Sequence, residues 1–485
     1  MAGVVEQSLQ ERTTAGARPR PTDGAATGGD EGRRAVWRAV GITGGLMAAF
    51  VLIGFEAPSV RRGVGRPALA RPPLYGDYVP HVGTHLVVPL AAAVVLITAA
   101  ALWPRLSDRA VPPVAYLALV TVSWAVAQTT GQQARLFAGY HRPAEAAEAR
   151  LVGQIGLRRY VAGYGERTLP QVLSNHPPGR VLVRAGLQHL FGSGVVGPSI
   201  VLCLVAGLVV FPTWGLAREL AGTAVARPAV LLLAASPAVL LYSWASWEAI
   251  EAPILLTAAF LLARGLARDE LRTGWALAGG MVLGLSTFWT YSGAFLGLAV
   301  VLLVLVPSRG RAWRRLLAPA AGVAIGIGLL WALLGDNVVH TYLATRAAPE
   351  ERIQYRIAHH DMRNGAYWLV GGPVAWLIGA GAPVVALTVL ALRRIPWTRA
   401  LLAVLGPLVL YASLPATVTS LIPGELERTW LWVYPLAAVT AAAALAPIVD
   451  RDRQGDGPWR RLVPGLVGIG VATAIAIEAL WMLPA

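Results

Sequence analysis

Long hydrophobic segments recur along almost the whole chain, and this feature restricts the fold more than any other. Of the 485 residues, 56% are hydrophobic and only 14% are charged, which excludes an ordinary water-soluble core. A helix of about 20 apolar residues is long enough to cross a bilayer. The sequence therefore predicts an all-α membrane protein that crosses the bilayer many times.

Hydropathy predicts about thirteen transmembrane helices. They fall near residues 39–55, 85–103, 113–130, 195–217, 228–245, 249–265, 274–291, 293–306, 316–335, 367–391, 400–418, 429–447 and 463–482. The segments that meet near Trp247, and those that meet near Ser292, are each compatible with one broken span.

The spans divide the chain into regions. Residues 1–34 are rich in Gly, Ala, Thr and Arg without apolar periodicity, so we expect a disordered cytoplasmic tail. Two N-terminal transmembrane helices occupy 35–112, and a transmembrane core occupies 113–485. Within this core, the long polar segments 131–196 and 336–366 are predicted to be external loops.

The charged residues give an orientation. The net charge is +15, and every basic residue is an arginine. With the N-terminus in the cytoplasm, each short inner loop carries arginines, as the positive-inside rule requires. The odd number of spans then places the C-terminus outside a plasma membrane. Because the arginines separate apolar segments and form no single cluster, their pattern does not indicate nucleic-acid binding.

The titratable residues gather on the outer side of this arrangement. All eight histidines lie there or at its edge. The same holds for most acidic residues outside the inner loops: Asp77, Glu145, Glu148, Glu166, Asp336, Asp361, Glu425 and Glu427. Polar groups at membrane segments are energetically costly and tend to mark function. The sequence therefore predicts that any chemistry takes place at the external face.

Glu145 and Glu148 are the first candidates for such chemistry. Their i, i+3 spacing places both carboxylates on one face of a helix. Neighbouring carboxylates beside lipid suit one of them to act as a general base that deprotonates an acceptor hydroxyl. A solvated amphipathic helix explains the same spacing, and the sequence leaves both interpretations open. Asp77, in the Tyr75-Gly76-Asp77-Tyr78 segment, is an alternative acid or simply part of a turn.

His176-Pro177-Pro178-Gly179 must form a rigid turn, because proline lacks a backbone donor and restricts the residue before it. A helix from Arg180 to Phe191 is predicted to follow. It has an apolar side and a basic side that contains Arg180 and Arg184, a composition that suits a helix lying in the membrane interface. For His176 itself, a structural turn and a substrate contact explain the sequence equally well.

Arg428 stands just before a hydrophobic segment, and its guanidinium is suited to bind a lipid-linked phosphate. The alternatives are neutralisation by Glu425 or Glu427, or extension of the side chain to the lipid headgroups. Arg363 is a second candidate for the same role. Glu248 flanks a Trp-rich hairpin, where a carboxylate is costly unless it is paired or hydrated, so it either lines a cavity or sits beside interfacial tryptophans.

Other kinds of site find little support. The adjacent His359, His360 and Asp361 have poor geometry for a metal, and we expect no divalent cation. The single cysteine, Cys203, lies inside a hydrophobic segment and excludes an intramolecular disulfide. Glycine-rich runs such as 279–280 and 322–328 lie inside spans, where close helix packing is a better explanation than nucleotide binding.

Several of these motifs together resemble those of a known family. They are Ala147-Glu148-Ala149-Arg150, His176-Pro177-Pro178-Gly179, Gly76-Asp77-Tyr78 with Pro80-His81, Tyr367-Trp368 and Gly424-Glu425-Leu426-Glu427-Arg428-Thr429-Trp430. The chain is similar to GT-C glycosyltransferases, which include protein O-mannosyltransferases and lipid-A aminoarabinose transferases. It resembles most closely the actinobacterial GT-C-like integral membrane proteins. The segment 131–196 then corresponds to the large first external loop of that fold, which carries interfacial helices.

The resemblance implies inverting transfer of a hexosyl or pentosyl group from a polyprenyl-phosphate donor to a cell-envelope acceptor at the external membrane face, without a cofactor. The implied catalytic residues are Glu148, Glu145 and Asp77. The implied substrate-binding residues are His176, Arg150, Arg363, Tyr367, Glu425, Glu427, Arg428 and Glu248.

One position departs from the family pattern. Where the family has the first acidic residue of its pair, this chain has Ala147, which keeps a non-catalytic membrane scaffold open as an alternative function. A secondary transporter is the other alternative. For a transporter we would expect an internal repeat and polar residues near the middle of the membrane.

Overall fold

A computed structural model of the chain describes residues 24–56, 77–78, 80–131, 137, 140, 143–167, 169, 173, 176–266, 271–306, 308–344, 365–394, 426–453 and 459–482. The first half contains helices α1 (Gly24–Glu56), α2 (Val87–Leu102), α3 (Val111–Ala127), α4 (Pro143–Ile155), α5 (Leu157–Ala162), α6 (Gly179–Phe191), α7 (Val196–Gly207), α8 (Val210–Ala221), α9 (Thr223–Ala234) and α10 (Pro237–Ala245).

The second half contains α11 (Glu251–Gly265), α12 (Thr273–Ser286), α13 (Gly293–Leu305), α14 (Leu317–Leu334), α15 (Gly365–Ala380), α16 (Ala382–Arg394), α17 (Leu426–Thr429), α18 (Tyr434–Ala443), α19 (Ala446–Arg453) and α20 (Trp459–Leu480). Short 3-10 helices cover Thr84–Leu86, Trp103–Arg105, Tyr164–Glu166, Trp247–Ile250, Trp313–Leu316 and Leu431–Val433. Helix α1 begins inside the segment predicted to be a tail.

Helices long and apolar enough to cross a membrane are present, as the sequence predicts. Five such segments are Glu31–Leu52, Thr84–Arg105, Val196–Ala221, Trp313–Leu334 and Leu462–Leu480, and two bent helix pairs raise the number to seven if each pair is one span. The all-helical membrane fold is therefore confirmed. The larger number of thirteen stays a prediction, and the segment 400–418 lies outside the described residues.

Both bends occur where the sequence interrupts a helix. Helices α9 and α10 meet at an angle of 59°, at Ser236 and Pro237, where the proline removes a backbone donor. Helices α15 and α16 meet at 97°, where Gly381 has a φ of 85° that side chains disfavour. The hydropathy of each pair predicts one continuous segment, but the local backbone chemistry divides it.

One end of the bundle is held by contacts among three segments predicted to be inner loops. The indole Nε1 of Trp103 donates to the carbonyl of Arg227 at 3.1 Å, and Arg227 Nη2 lies 2.7 Å from Asp108 Oδ1. The indole of Trp459 donates to the Ala100 carbonyl at 2.8 Å. These contacts bring the predicted inner loops together at one face, as alternation of the spans requires.

A short antiparallel strand pair joins two distant parts of the chain. Asp77 and Tyr78 (β1) pair with Met482 and Trp481 (β2), respectively. Strand β1 follows the first membrane helix, and β2 directly follows α20. The start of the second predicted span and the end of the last one therefore lie on the same side of the fold.

The segment between α3 and α7 forms a layer with its own small core. Buried apolar side chains of α4, α5, α6, the 3-10 helix Tyr164–Glu166 and the residues between that turn and α6 pack together in this layer: Ala149, Val152, Tyr160, Val161, Tyr164, Leu169, Leu173 and Val181. The described part of the predicted external loop is thus largely helical, and its helices share this core. It holds α4 against α6, the arrangement on which the candidate site depends.

Helices α12 and α14 are packed closely through glycines, which confirms the prediction made from the glycine-rich runs. A Cβ atom on Gly322 would overlap the carbonyl oxygen of Leu277, and one on Gly280 would overlap that of Pro319. In both places the obstacle is backbone, so a neighbouring side chain cannot move aside to make room. Small residues at such positions let helix backbones approach.

We predict that Gly322→Ala lowers the thermal unfolding temperature of the purified protein, because overpacking at a tight contact costs about 1–3 kcal/mol. The matched control is Gly328→Ala in the same helix, where a Cβ atom meets nothing within 4 Å. Thermal unfolding in detergent compares the two variants. Equal unfolding temperatures would contradict the packing described here.

Candidate functional site

Helix α6 begins at the Pro-Pro turn and is fixed there by a close backbone contact. The amide of Gly179 donates to the carbonyl of Phe288 at 2.9 Å. A Cβ atom at this position would overlap the same carbonyl oxygen, so glycine is required for the approach. The sequence therefore sets both the start of α6, through Pro177 and Pro178, and its contact with the segment that follows α12.

Two arginines of α6 are buried. Arg180 and Arg184 are each 3% exposed, and their i, i+4 spacing places them on one side of the helix. The solvent-facing basic side expected for an interfacial helix is therefore not formed. Instead, the exposed side carries apolar residues, including Leu190 and Phe191. The arginines face inward because acidic partners lie there.

Arg180 joins α6 to the membrane core. Its Nη1 donates to Glu248 Oε1 at 3.1 Å, and its Nη2 donates to Glu251 Oε1 at 2.8 Å. Arg428 approaches from the other side, with its Nε 3.8 Å from Glu248 Oε2. Glu248 therefore lies between two guanidinium groups.

The 3-10 turn Trp247–Ile250 presents Glu248 to these arginines. Ser246 caps the turn: its hydroxyl donates to the Glu248 carboxylate and accepts from the Glu248 amide. Burial raises the pKa of Glu248, but Arg428, Arg180 and the neighbouring His176 together hold it well below its ordinary value. The carboxylate is therefore ionised, and it brings the predicted residues His176, Glu248 and Arg428 into one cluster.

Arg184 joins α6 to the external loop. Its Nη1 donates to Glu145 Oε2 at 3.0 Å, and its guanidinium carbon lies 4.4 Å from the centre of the Tyr140 ring. Glu145 is buried as well. A carboxylate held in this way is suited to fix α4 on α6.

These contacts form a network of three arginine and three glutamate side chains. Its members are all buried: Glu145, Glu248, Glu251, Arg180, Arg184 and Arg428. Buried charges are expensive unless each is paired and hydrogen-bonded. Because α6 supplies the two central arginines, it connects the external loop to the bundle through charge as well as through apolar packing.

Glu148 differs from the other carboxylates in its exposure. Its side chain is 15% exposed, compared with 4% for Glu145 and 7% for Glu248. The hydroxyl of Tyr160 donates to Glu148 Oε2 at 3.0 Å, and Arg167 Nε lies 3.8 Å from the same oxygen. Glu145 and Glu148 therefore share α4 but have different partners.

Two tyrosines extend from Glu148 to the Pro-Pro turn. The rings of Tyr160 and Tyr164 meet edge to face, with centroids 5.8 Å apart. The Tyr164 hydroxyl lies within hydrogen-bond distance of two carbonyl oxygens, at 3.2 Å from Leu173 and 3.1 Å from His176. Burial is the main cause that raises the pKa of both tyrosines far above the ordinary value. Both phenols therefore remain protonated donors.

The remaining predicted site residues are described incompletely. Arg150 lies exposed on α4. Asp77 belongs to β1, Tyr367 to α15 and Glu427 to α17, but their side chains lie outside the described part of the chain. Arg363 and Glu425 lie wholly outside the described residues, as do His359, His360 and Asp361. Their roles, and the expected absence of a metal, stay predictions.

Sequence reasoning missed several residues of the cluster. Arg180 and Arg184 were assigned only to the basic side of an interfacial helix, and Tyr160 and Tyr164 were not selected. The i, i+4 spacing of two arginines on an otherwise apolar helix was a usable signal, because such residues need buried partners. No comparable signal identified Tyr160, since its partner depends on how α5 folds back on α4.

Comparison with known proteins extends this description. Residues 175–334 match the family model described as dolichyl-phosphate-mannose-protein mannosyltransferase. None of the curated proteins compared with the chain matches it. The family match covers roughly a third of the chain and includes the Pro-Pro turn, α6, Glu248 and Glu251. The resemblance predicted from the sequence is thereby confirmed for this segment, whereas Glu145 and Glu148 precede it.

Solved structures also resemble the chain. ArnT from Cupriavidus metallidurans in the apo state is 17% identical, with 77% of this chain and 76% of that chain covered and a TM-score of 0.47. The same protein bound to undecaprenyl phosphate is 18% identical, with coverage of 76% and 75% and a TM-score of 0.47. An oligosaccharyltransferase from Archaeoglobus fulgidus is 12% identical, with coverage of 76% and 54% and a TM-score of 0.39.

We predict that Arg184→Ala destabilises the protein by about 3–5 kcal/mol, because it leaves the buried Glu145 carboxylate without the guanidinium that neutralises it. The control is Arg158→Ala, which removes an exposed arginine of the same external layer. Thermal unfolding in detergent measures both. If the two variants unfold at the same temperature, the ion pair does not hold α4 on α6.

Proposed function

We propose that this protein is a membrane glycosyltransferase that moves a sugar from a polyprenyl-phosphate donor to a cell-envelope acceptor at the external membrane face. One observation carries the proposal. A partly exposed carboxylate, Glu148, lies one helical turn from Glu145, which belongs to the buried arginine–glutamate network that also contains Arg428. The match of residues 175–334 to a family of lipid-phosphate-mannose transferases supports the same chemistry.

In this mechanism Glu148 acts as the general base. As the acceptor hydroxyl attacks the anomeric carbon of the donor sugar, its proton passes to the Glu148 carboxylate. The bond between that carbon and the phosphate oxygen breaks, the lipid phosphate leaves, and the anomeric configuration inverts. The contacts from Tyr160 and Arg167 both involve Oε2, so they do not occupy Oε1, the oxygen we assign to the acceptor proton.

Arg428 is the proposed partner of the donor phosphate. A guanidinium offers five donors in a planar fork that matches phosphate oxygens. Its 3.8 Å separation from Glu248 is longer than a hydrogen bond, so the two groups interact mainly through charge. A lipid phosphate that approaches Arg428 would meet an arginine whose position is already set by Glu248.

The orientation of the chain in the membrane is part of the same proposal. Arg227, near the start of the α9–α10 pair, belongs to the cluster of predicted inner loops, and Glu248 follows the opposite end of the pair. With basic loops inside, Glu248 and the network around it face outward. We therefore assign the N-terminus to the cytoplasm, the C-terminus to the outside and the chain to the plasma membrane, with thirteen spans between.

We predict that Glu148→Gln reduces sugar transfer about 100-fold or more, since general-base catalysis typically contributes factors of this size. The assay follows radiolabelled mannose from undecaprenyl-phosphate mannose into cell-envelope acceptors, with membranes that contain the full-length protein. Glu166→Gln serves as the control, because Glu166 is an exposed glutamate of the same loop that the mechanism does not use.

Other outcomes of this assay would change the assigned base or the proposed function. Full activity in Glu148→Gln together with loss in Asp77→Asn would move the base to Asp77. Loss in neither variant would refute the assigned base. If the wild-type protein transfers no sugar from this donor or from other lipid-linked sugars, the non-catalytic scaffold that Ala147 suggests becomes the better description.

A further inference from the structure

The apolar ring of Tyr160 explains why this residue is buried, but it does not explain the position of the hydroxyl. Tyr160 is 0% exposed, and its hydroxyl reaches Glu148 across twelve positions of the chain at 3.0 Å. The approach is possible because Gly156, with a φ of 87°, ends α4 and lets α5 turn back toward it. Phenylalanine would fill the same apolar space, so the hydroxyl needs a separate explanation.

We propose that Tyr160 is a positioning residue that holds the Glu148 carboxylate in the orientation required for proton abstraction. The inference rests on the proposed function and adds a residue to it. Tyr160 does not contact the substrate in this scheme. It acts through Glu148, whose Oε2 it binds while Oε1 meets the acceptor hydroxyl.

The chemistry of this contact suits the role. Burial is the main cause of the raised pKa of Tyr160, with smaller contributions from Tyr164 and Glu148, so the phenol donates at every physiological pH. A hydrogen bond to an ionised carboxylate is stronger than one between neutral groups. Arg167 lies over the Tyr160 ring, with its guanidinium carbon 5.1 Å from the centroid, and adds positive charge on the same side of Glu148.

Contacts with Tyr164 hold the ring of Tyr160 in a fixed position. Its ring packs edge to face on Tyr164, whose hydroxyl is bound to the carbonyl oxygens of Leu173 and His176. The position of the carboxylate is thereby tied to the turn that begins α6. Precise placement of a catalytic group depends on supporting residues of this kind, because a small displacement from the reacting geometry has a large effect on rate.

The test is Tyr160→Phe in the full-length protein, assayed with undecaprenyl-phosphate mannose. We expect kcat to fall about tenfold or more, as loss of a hydrogen bond to a charged group implies. The KM for the lipid donor and the unfolding temperature should remain close to those of the wild type. Tyr116→Phe is the control, because its hydroxyl donates to a backbone carbonyl, that of Leu204, in the span region.

Two further variants separate positioning from a general structural effect. In a Glu148→Gln background, Tyr160→Phe should change the residual rate less than about twofold, since the two residues act as one unit. Glu148→Asp shortens the carboxylate without altering the core around Tyr160. It should lower kcat while the KM for the donor stays unchanged, even if Tyr160→Phe proves unstable.

A wild-type kcat in Tyr160→Phe, or in Glu148→Asp if the first variant does not fold, would overturn the inference. So would an equal loss from Tyr160→Phe with and without Glu148, because that result describes a structural role. These results leave the proposed function intact as long as the wild type transfers sugar. An inactive wild type would instead refute the proposed function, and the inference with it.

Discussion

The pairing of two buried arginines on one helix with carboxylates from different parts of the chain underlies the rest of the structure. Arg184 binds Glu145 of the external loop, and Arg180 binds Glu248 and Glu251 of the bundle. Neither arginine is stable in an apolar environment without these partners. The external layer is consequently held on the membrane helices in one orientation, and α6 is the element that fixes it.

This arrangement explains how a mostly apolar chain holds charged and polar side chains in fixed positions. Prolines 177 and 178 fix the start of α6, and Gly179 allows its close approach to Phe288. In the same turn, the backbone carbonyl of His176 accepts a hydrogen bond from the Tyr164 hydroxyl. The charged network and the tyrosine pair therefore meet at one turn, so Arg428, which contacts Glu248, and Glu148, which contacts Tyr160, belong to a single supported unit.

Sequence reasoning reached the fold class, and it selected His176, Glu248 and Arg428, which the structure brings into one cluster. Hydropathy identified apolar helices long enough to cross a membrane, glycine runs predicted the α12–α14 packing, and the proline turn predicted the start of α6. It did not predict that Arg180 pairs with Glu251, 71 positions away. Periodicity describes only one element at a time, and the choice between a solvated and a buried arginine depends on neighbours from other elements. The hydroxyl of Tyr160 was missed for the same reason.

The central claim is that a lipid phosphate binds at Arg428 on the side of the membrane that carries Glu148. An electron cryo-microscopy structure of the full-length protein with undecaprenyl phosphate tests it most directly. The account predicts density for the phosphate within hydrogen-bond distance of the Arg428 guanidinium. Density for the phosphate beside Arg227, in the cluster of predicted inner loops, would contradict it.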